Sequence, residues 1–429
     1  MKMRSLDRKN STPSFSTRRS PRGRTLRSRY RRTKPTPRID LTARDSAFLL
    51  DCAFLRVVPG NATFLLAASH SDLFVPPRSY WKERENQLYQ GEWLSRLYAP
   101  KSPYVTGAGW PIYIVEPGYV SYAIDAGAPV ASLLTAERKK YLAASTGMRQ
   151  KILHLMYASG LDADMAASML ENNGALAEKF CSGRTSNVPH TLLASTFLAL
   201  AWYGLRKAGY TIGYRKPDGF IDWKFRVESE AEPRRIQPDG FFTIDRADGM
   251  SGFALEAETG ETGYKALVKK IRAYHGLLMQ EAIDGLRSRT HCPDLTTFRV
   301  IFYCATASHA QAVARAIAEV APAGSGSFLI VSAEAVHLDY SKIQFQTDAA
   351  IDAEGTTLYE YLGGLILKPI FAQVQGRSAR GAPELGYVPL VSGPRTAIAN
   401  IVDDEANAHP SASQAVFFVE HPADLDPVV

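Results

Sequence analysis

Arg235-Ile236-Gln237-Pro238-Asp239-Gly240-Phe241-Phe242, followed seventeen residues after Asp239 by Glu256 within Phe253-Ala254-Leu255-Glu256-Ala257-Glu258, carries most of what the chain says about its architecture. Side chains alternate across a strand, so Phe253, Leu255 and Ala257 share one face while Ala254, Glu256 and Glu258 share the other. Asp245-Arg246-Ala247-Asp248-Gly249 is a turn signal between two strand-like runs. A hairpin folded there brings Asp239 toward the face of Glu256 and Glu258. Carboxylates that close raise one another's proton affinity unless a cation compensates, and an oxygen-liganded Mg²⁺ or Mn²⁺ is the natural compensator.

Outward from this motif the pattern alternates. A helix is expected from near His190 to Gly209, strands over Tyr210–Tyr214, Phe220–Val227, Phe241–Ile244 and Phe253–Glu258, and a helix from Tyr264 to Ala282. A strand at Phe298–Ala305, a helix at His309–Val320 and a strand at Phe328–Val331 complete an α/β domain over residues 181–372. Leu267, Ile271, Tyr274 and Leu278 form the buried stripe of the Tyr264–Ala282 helix. At 100° per residue Lys270 lies on the edge of that stripe, whereas Lys265 and Lys269 point away. Residues 126–180 read as a helical connector, and residues 373–429 as a loosely ordered tail rich in Gly, Pro and Ala.

Toward the N-terminus, Asp40 and Thr42 are candidate caps for a helix with Phe48, Leu49, Cys52, Phe54 and Leu55 on its apolar face. Pro59-Gly60-Asn61 ends it, Ala62–Ala68 suits a second helix, and a third begins near Ser79. Short extended runs follow around Gly107-Ala108-Gly109. Three helices and a hairpin are the order of a winged helix-turn-helix, expected over residues 39–125. In that module the third helix enters the major groove, with Arg84, Asn86 and Gln87 at base edges and Lys82 at a phosphate.

The chain has 429 residues, 45% of them hydrophobic, and a formal charge of +7. Residues 1–38 hold 14 Lys or Arg against the single acid Asp7, so the other 391 residues, with 36 basic and 42 acidic groups, are net acidic. An arm with so many charges and so few apolar groups does not fold alone. Its Arg18-Arg19 and Arg31-Arg32 pairs suit phosphates, giving salt-sensitive affinity for double-stranded DNA. No apolar run reaches the ~18–20 residues of a membrane span. Cys52, Cys181, Cys292 and Cys304 are scattered, which indicates neither a disulfide framework nor a zinc site and leads to an expectation of reduced, cytoplasmic thiols. There is no phosphate loop, serine elbow or HExxH motif.

The order of elements, with Pro-Asp before one strand and acids on the next, resembles the PD-(D/E)XK nuclease core. More narrowly, His190-Thr191-Leu192, Trp223 with Glu228, Pro238-Asp239-Gly240, Leu255-Glu256-Ala257-Glu258-Thr259-Gly260 and Lys270 with Tyr274 resemble the replication-relaxation family of bacterial plasmid and mobile-element proteins, over about residues 40–340. The resemblance implies an α+β or α/β multidomain chain with a winged helix before a nuclease-like core. It also implies DNA as partner, and a role in replication or DNA relaxation. A nuclease of this class has a lysine two positions after the second acid, where this chain has Glu258. Lys270 is the candidate for a displaced catalytic lysine that activates water, with Asp239 and Glu256 holding Mg²⁺ and Glu258 assisting. The leading reading is a DNA-binding protein of a plasmid or mobile element with a catalytically silent core, in which the same acids only form hydrogen bonds; an active Mg-dependent nicking enzyme using Asp239, Glu256 and Lys270, and a non-enzymatic assembly factor, are the alternatives. A homodimer or a replication partner fits any of these. His190 reads as a cap or packing residue.

Overall fold

The computed structural model describes residues 39–71, 78–91, 93–98, 111–114, 188–217, 222–225, 234–246, 249–280, 283–339, 344–345 and 358–391. The basic arm 1–38, the connector 126–180 and the hairpin tip at Gly107-Ala108-Gly109 lie outside them.

The N-terminal part is built from α1 (Ala43–Leu55), β1 (Val58–Pro59), α2 (Ala62–Ser69), α3 (Arg78–Gln90), β2 (Ser95–Tyr98) and β3 (Pro111–Ile114). Thr42 and Asp45 form a capping box that starts α1, each side chain bonding the other's backbone N–H. The three strands form an antiparallel sheet in the order β1-β3-β2. Phe48, Leu65, Trp81 and Leu88 close the space between helices and sheet.

The larger part comprises α4 (Val188–Lys207), β4 (Ile212–Pro217), β5 (Trp223–Phe225), β6 (Arg234–Ile236), β7 (Gly240–Arg246), β8 (Gly249–Glu258), α5 (Tyr264–Gln280), α6 (Ile283–Thr290), β9 (Leu295–Cys304), α7 (Ala307–Val320) and β10 (Phe328–Ser332). A 3₁₀ turn, the small pair β11 (Leu338–Asp339) and β12 (Gln344–Phe345), α8 (Leu358–Leu365), β13 (Phe371–Arg377) and β14 (Pro383–Val388) follow. Among the described residues seven strands form one mixed sheet, in the order β14-β13-β10-β9-β8-β7-β4. β4, β7 and β8 run antiparallel in succession. β9 is parallel to β8 across the α5–α6 crossover, and β10 is parallel to β9 across α7.

The sheet has a core on each face. Phe242, Phe253, Leu255, Ala257, Ile301 and Tyr303 pack toward α4 and, through it, against α1 and α2. Phe241, Ala254, Val300, Phe302 and Ile330 pack toward α5 and α7. The alternation expected over Phe253–Glu258 is therefore present. The face of Glu256 and Glu258 lies under α5, so both acids are buried.

Two expectations are corrected. The first part of the tail expected to be loose from residue 373 onward instead forms β13 and β14 at the sheet edge, and residues 392–429 lie outside the described ones. Arg84 is turned toward α1 and not presented for base edges, its side chain 15% exposed, while Gln87 is half-buried. The Arg84 guanidinium lies against the buried Asp45 of α1, donating Nε to Oδ1 at 3.2 Å, and its Nη1 donates to Gln87 Oε1 at 2.9 Å. Burial raises the Asp45 carboxyl pKa, and the Arg84 and Thr42 hydrogen bonds outweigh it, leaving the carboxyl below its ordinary value. Lys82 remains exposed and Asn86 half-exposed on α3, with Tyr80 also outward.

The helical part is joined to the sheet by α4. Arg206 in its last turn donates to Asp51 of α1 at 2.6 and 3.1 Å and to Ser69 at the end of α2 at 2.9 Å. His70 Nε2 lies 2.7 Å from the same Asp51.

Candidate active site

The turn Pro238-Asp239 leads into β7, where Gly240 pairs with Leu255. That register sets Asp239 beside the end of β8. Its backbone N–H donates to Leu255 O at 2.8 Å, and its Oδ2 accepts from the Ala257 N–H at 2.7 Å. The carboxylate is thus fixed on the strand that carries Glu256 and Glu258.

Glu256 and Glu258 are 2% and 3% exposed and face α5. From that helix Lys270 reaches both, its Nζ donating to Glu256 Oε2 at 2.8 Å and to Glu258 Oε1 at 2.6 Å. One turn on, the Tyr274 hydroxyl donates to Glu256 Oε1. Burial drives the Glu256 pKa up to about 7, against the pull of the Lys270 charge. Burial opposes the charge on Lys270, but the two glutamates outweigh it and hold the ammonium pKa above its ordinary value. Burial likewise keeps Tyr274 protonated as a donor. Lys270 has three N–H bonds and spends two on the glutamates. Its side chain stays 31% exposed, which leaves the third for whatever enters the cleft.

His190, read from the sequence as a cap or packing residue, pairs with Asp239. It stands in the first turn of α4, and its Nε2 lies 3.2 Å from Asp239 Oδ2. Burial depresses the imidazole pKa, and the hydrogen bond and charge of Asp239 reverse this and carry it to about 9. The signal was the position of His190 at the start of the helix that packs under β7 and β8, but 49 residues separate it from Asp239. The structure therefore brings Asp239, Glu256, Glu258 and Lys270 together as expected and adds His190 and Tyr274. Three carboxylates face two protein cations.

Asp239, Glu256, Lys270 and Tyr274 border a cleft of about 740 Å³. Arg235 and Gln237 stand on the β6 side; Ala266, Lys269 and Ala273 stand on α5.

Mg²⁺ is commonly held by one or two carboxylates and completes its shell with water and phosphate oxygens. Of the two carboxylates expected in that role, Asp239 fits it and Glu256 does not. Asp239 Oδ1 accepts no hydrogen bond from the described residues, whereas both oxygens of Glu256 are engaged by Tyr274 and Lys270. Among the described residues no group of three or more His, Cys, Asp or Glu side chains is placed to hold a metal ion.

Cys52, Cys292 and Cys304 are buried and unpaired in disulfides. No helix among the described residues is long and apolar enough to cross a membrane. Comparison with models of protein families, with curated proteins and with solved structures finds no match to this chain.

Proposed function

We propose that the chain binds DNA through a winged-helix module and carries a phosphodiester-hydrolysing site of the PD-(D/E)XK kind, as the resemblance to replication-relaxation proteins implies. The observation that carries this reading is the Lys270 ammonium bridging Glu256 and Glu258 in the cleft that Asp239 borders. On this reading Lys270 stands in, from the next helix, for the lysine that the strand lacks at Glu258. The helix, three antiparallel strands, crossover helix and parallel strand formed by α4, β4, β7, β8, α5 and β9 support the same reading. So do three helices with a sheet ordered β1-β3-β2 for the winged helix.

In this function Lys270 directs its remaining N–H at the attacking water or at a phosphate oxygen, stabilising charge that builds as water adds to phosphorus and a P–O bond breaks. Asp239, pinned by the Ala257 N–H and His190, supplies a fixed carboxylate. Mg²⁺, which the Asp239 carboxylate would hold, would supply positive charge against the phosphate. Exposed Lys82 and the arginine arm bring the polyanion to the protein.

Nicking of supercoiled plasmid in Mg²⁺, its loss in EDTA and its loss in Asp239→Ala are the expected results. The engagement of both Glu256 oxygens favours a second reading, a silent core that only binds. No nicking by a chain whose duplex affinity falls with salt and with Lys82→Ala would establish that reading. Absence of duplex affinity at low salt would refute both.

A further inference from the structure

The walls of the cleft have a chemistry that neither the acids nor Lys270 account for. On one side the Arg235 guanidinium is held side-on by Asp222, Nε to Oδ1 at 2.7 Å and Nη2 to Oδ2 at 3.1 Å. That geometry leaves its Nη1 outward. On the facing helix Lys269 is exposed and makes no hydrogen bond or ion pair with the described residues. Between these cations the surface is small and partly apolar, formed by Ala266 and Ala273 with Tyr274 beneath.

Cationic walls over an apolar strip match a nucleic-acid strand, whose phosphates lie outside its sugars and bases. A cleft of about 740 Å³ is in the range of small-ligand pockets, which suits a few nucleotides of one strand. Glu256 at its base is almost wholly covered, so a phosphate approaches it only where the backbone can bend inward, which a single strand does more readily than a duplex.

We infer that the cleft between β6 and α5 takes a single DNA strand, with Arg235 and Lys269 gripping the phosphates on either side of the one that meets Lys270. The inference rests on the DNA reading above and adds the form of the substrate: duplex is held at the helical module, and one opened strand enters the cleft. Arg235 and Lys269 are positioning residues, which bind the strand without touching the reacting phosphorus.

The test uses the full chain in EDTA at near-physiological salt, with a fluorescein-labelled oligothymidylate of about twenty residues and a duplex of the same length as probes. Anisotropy titrations compare wild type with the double variants Arg235→Glu/Lys269→Glu and Arg235→Ala/Lys269→Ala, the second guarding against a folding defect in the first. Expected is a loss of oligothymidylate affinity of roughly tenfold or more, a salt dependence shallower by about 1.4 from two lost phosphate contacts, and less than about twofold change on duplex. Oligothymidylate affinity within about twofold of wild type, or equal losses on both probes, would overturn the assignment. Should wild type bind duplex while the variants keep the single strand, the cleft assignment alone falls. Should wild type bind neither probe, the DNA reading falls with it.

Discussion

Replacing His190 with glutamine keeps a hydrogen-bond donor beside Asp239 and removes the charge, so the difference between the two proteins isolates the ion pair. The imidazole titrates at about 9 in the fold and at 6.5 when unperturbed. With about 1.4 kcal/mol for each pKa unit, the difference corresponds to roughly 3 kcal/mol. The side chain is 33% exposed, and solvent screening reduces this to about 2 kcal/mol. The sign follows from proton counting. Between 6.5 and 9 the folded protein holds a proton that the unfolded chain has released, so stability from this pair is complete below pH 6.5 and disappears as pH rises through 9. Glu256 works in a lower window: its carboxyl, raised from 4.5 to about 7, makes stability fall as pH rises from 4.5 to 7, largely alike in both proteins. Urea unfolding followed by circular dichroism should therefore show wild type more stable than His190→Gln by about 2 kcal/mol near pH 6, with most of that margin gone near pH 10. A margin independent of pH would refute the pairing of a charged His190 with Asp239.

Lys270→Ala should be costly, because it strands two carboxylates whose side chains are 3% and 5% exposed; a loss of about 3–5 kcal/mol is expected by urea unfolding, with partial rescue on adding Glu256→Gln. On α3 Lys82 and Arg84 should separate cleanly. Lys82→Ala is expected to weaken duplex binding and make its salt dependence shallower by about 0.9, whereas Arg84→Ala is expected to cost roughly 1.5–3 kcal/mol of stability through Asp45. Gly260, at φ +88°, has no room for a methyl group: a Cβ there would meet the His309 ring at 2.0 Å, so Gly260→Ala should lower the melting temperature, at about 1–3 kcal/mol. Arg206→Ala leaves Asp51 buried with His70 as its main remaining partner; a cost near the lower end of about 3–5 kcal/mol should appear in calorimetry as separate melting of the helical part.

What the sequence disclosed and what it concealed divide along the range of the interactions. Alternation over Phe253–Glu258 is a property of six adjacent residues, and the stripe of α5 is a property of a few turns, so the acids on one face and Lys270 at the stripe's edge could be read directly. The pairing of those two faces followed because the βαβ crossover from β8 through α5 to β9 lays the helix on the acid face. Arg84 misled because a cation on a candidate reading helix looks the same whether it faces a base or a buried acid. The signal lay 39 positions earlier, where Asp45 sits in the first turn of an otherwise apolar helix. His190 was obscured in the same way, its partner being brought by tertiary packing. β13 and β14 escaped notice because Gln373, Gly376, Arg377 and Gly386 dilute the strand signal, and a register shift between Val374 and Gly376 breaks the alternation.

α4 connects the two halves of the proposed function. Its first turn carries His190 into the acid site, and its last turn carries Arg206 into the clamp on α1 and α2. Twenty residues at 1.5 Å each make a rod of about 30 Å, close to one turn of duplex at about 34–36 Å. A buried ion pair at one end and a pinned carboxylate at the other leave such a rod little freedom to swing.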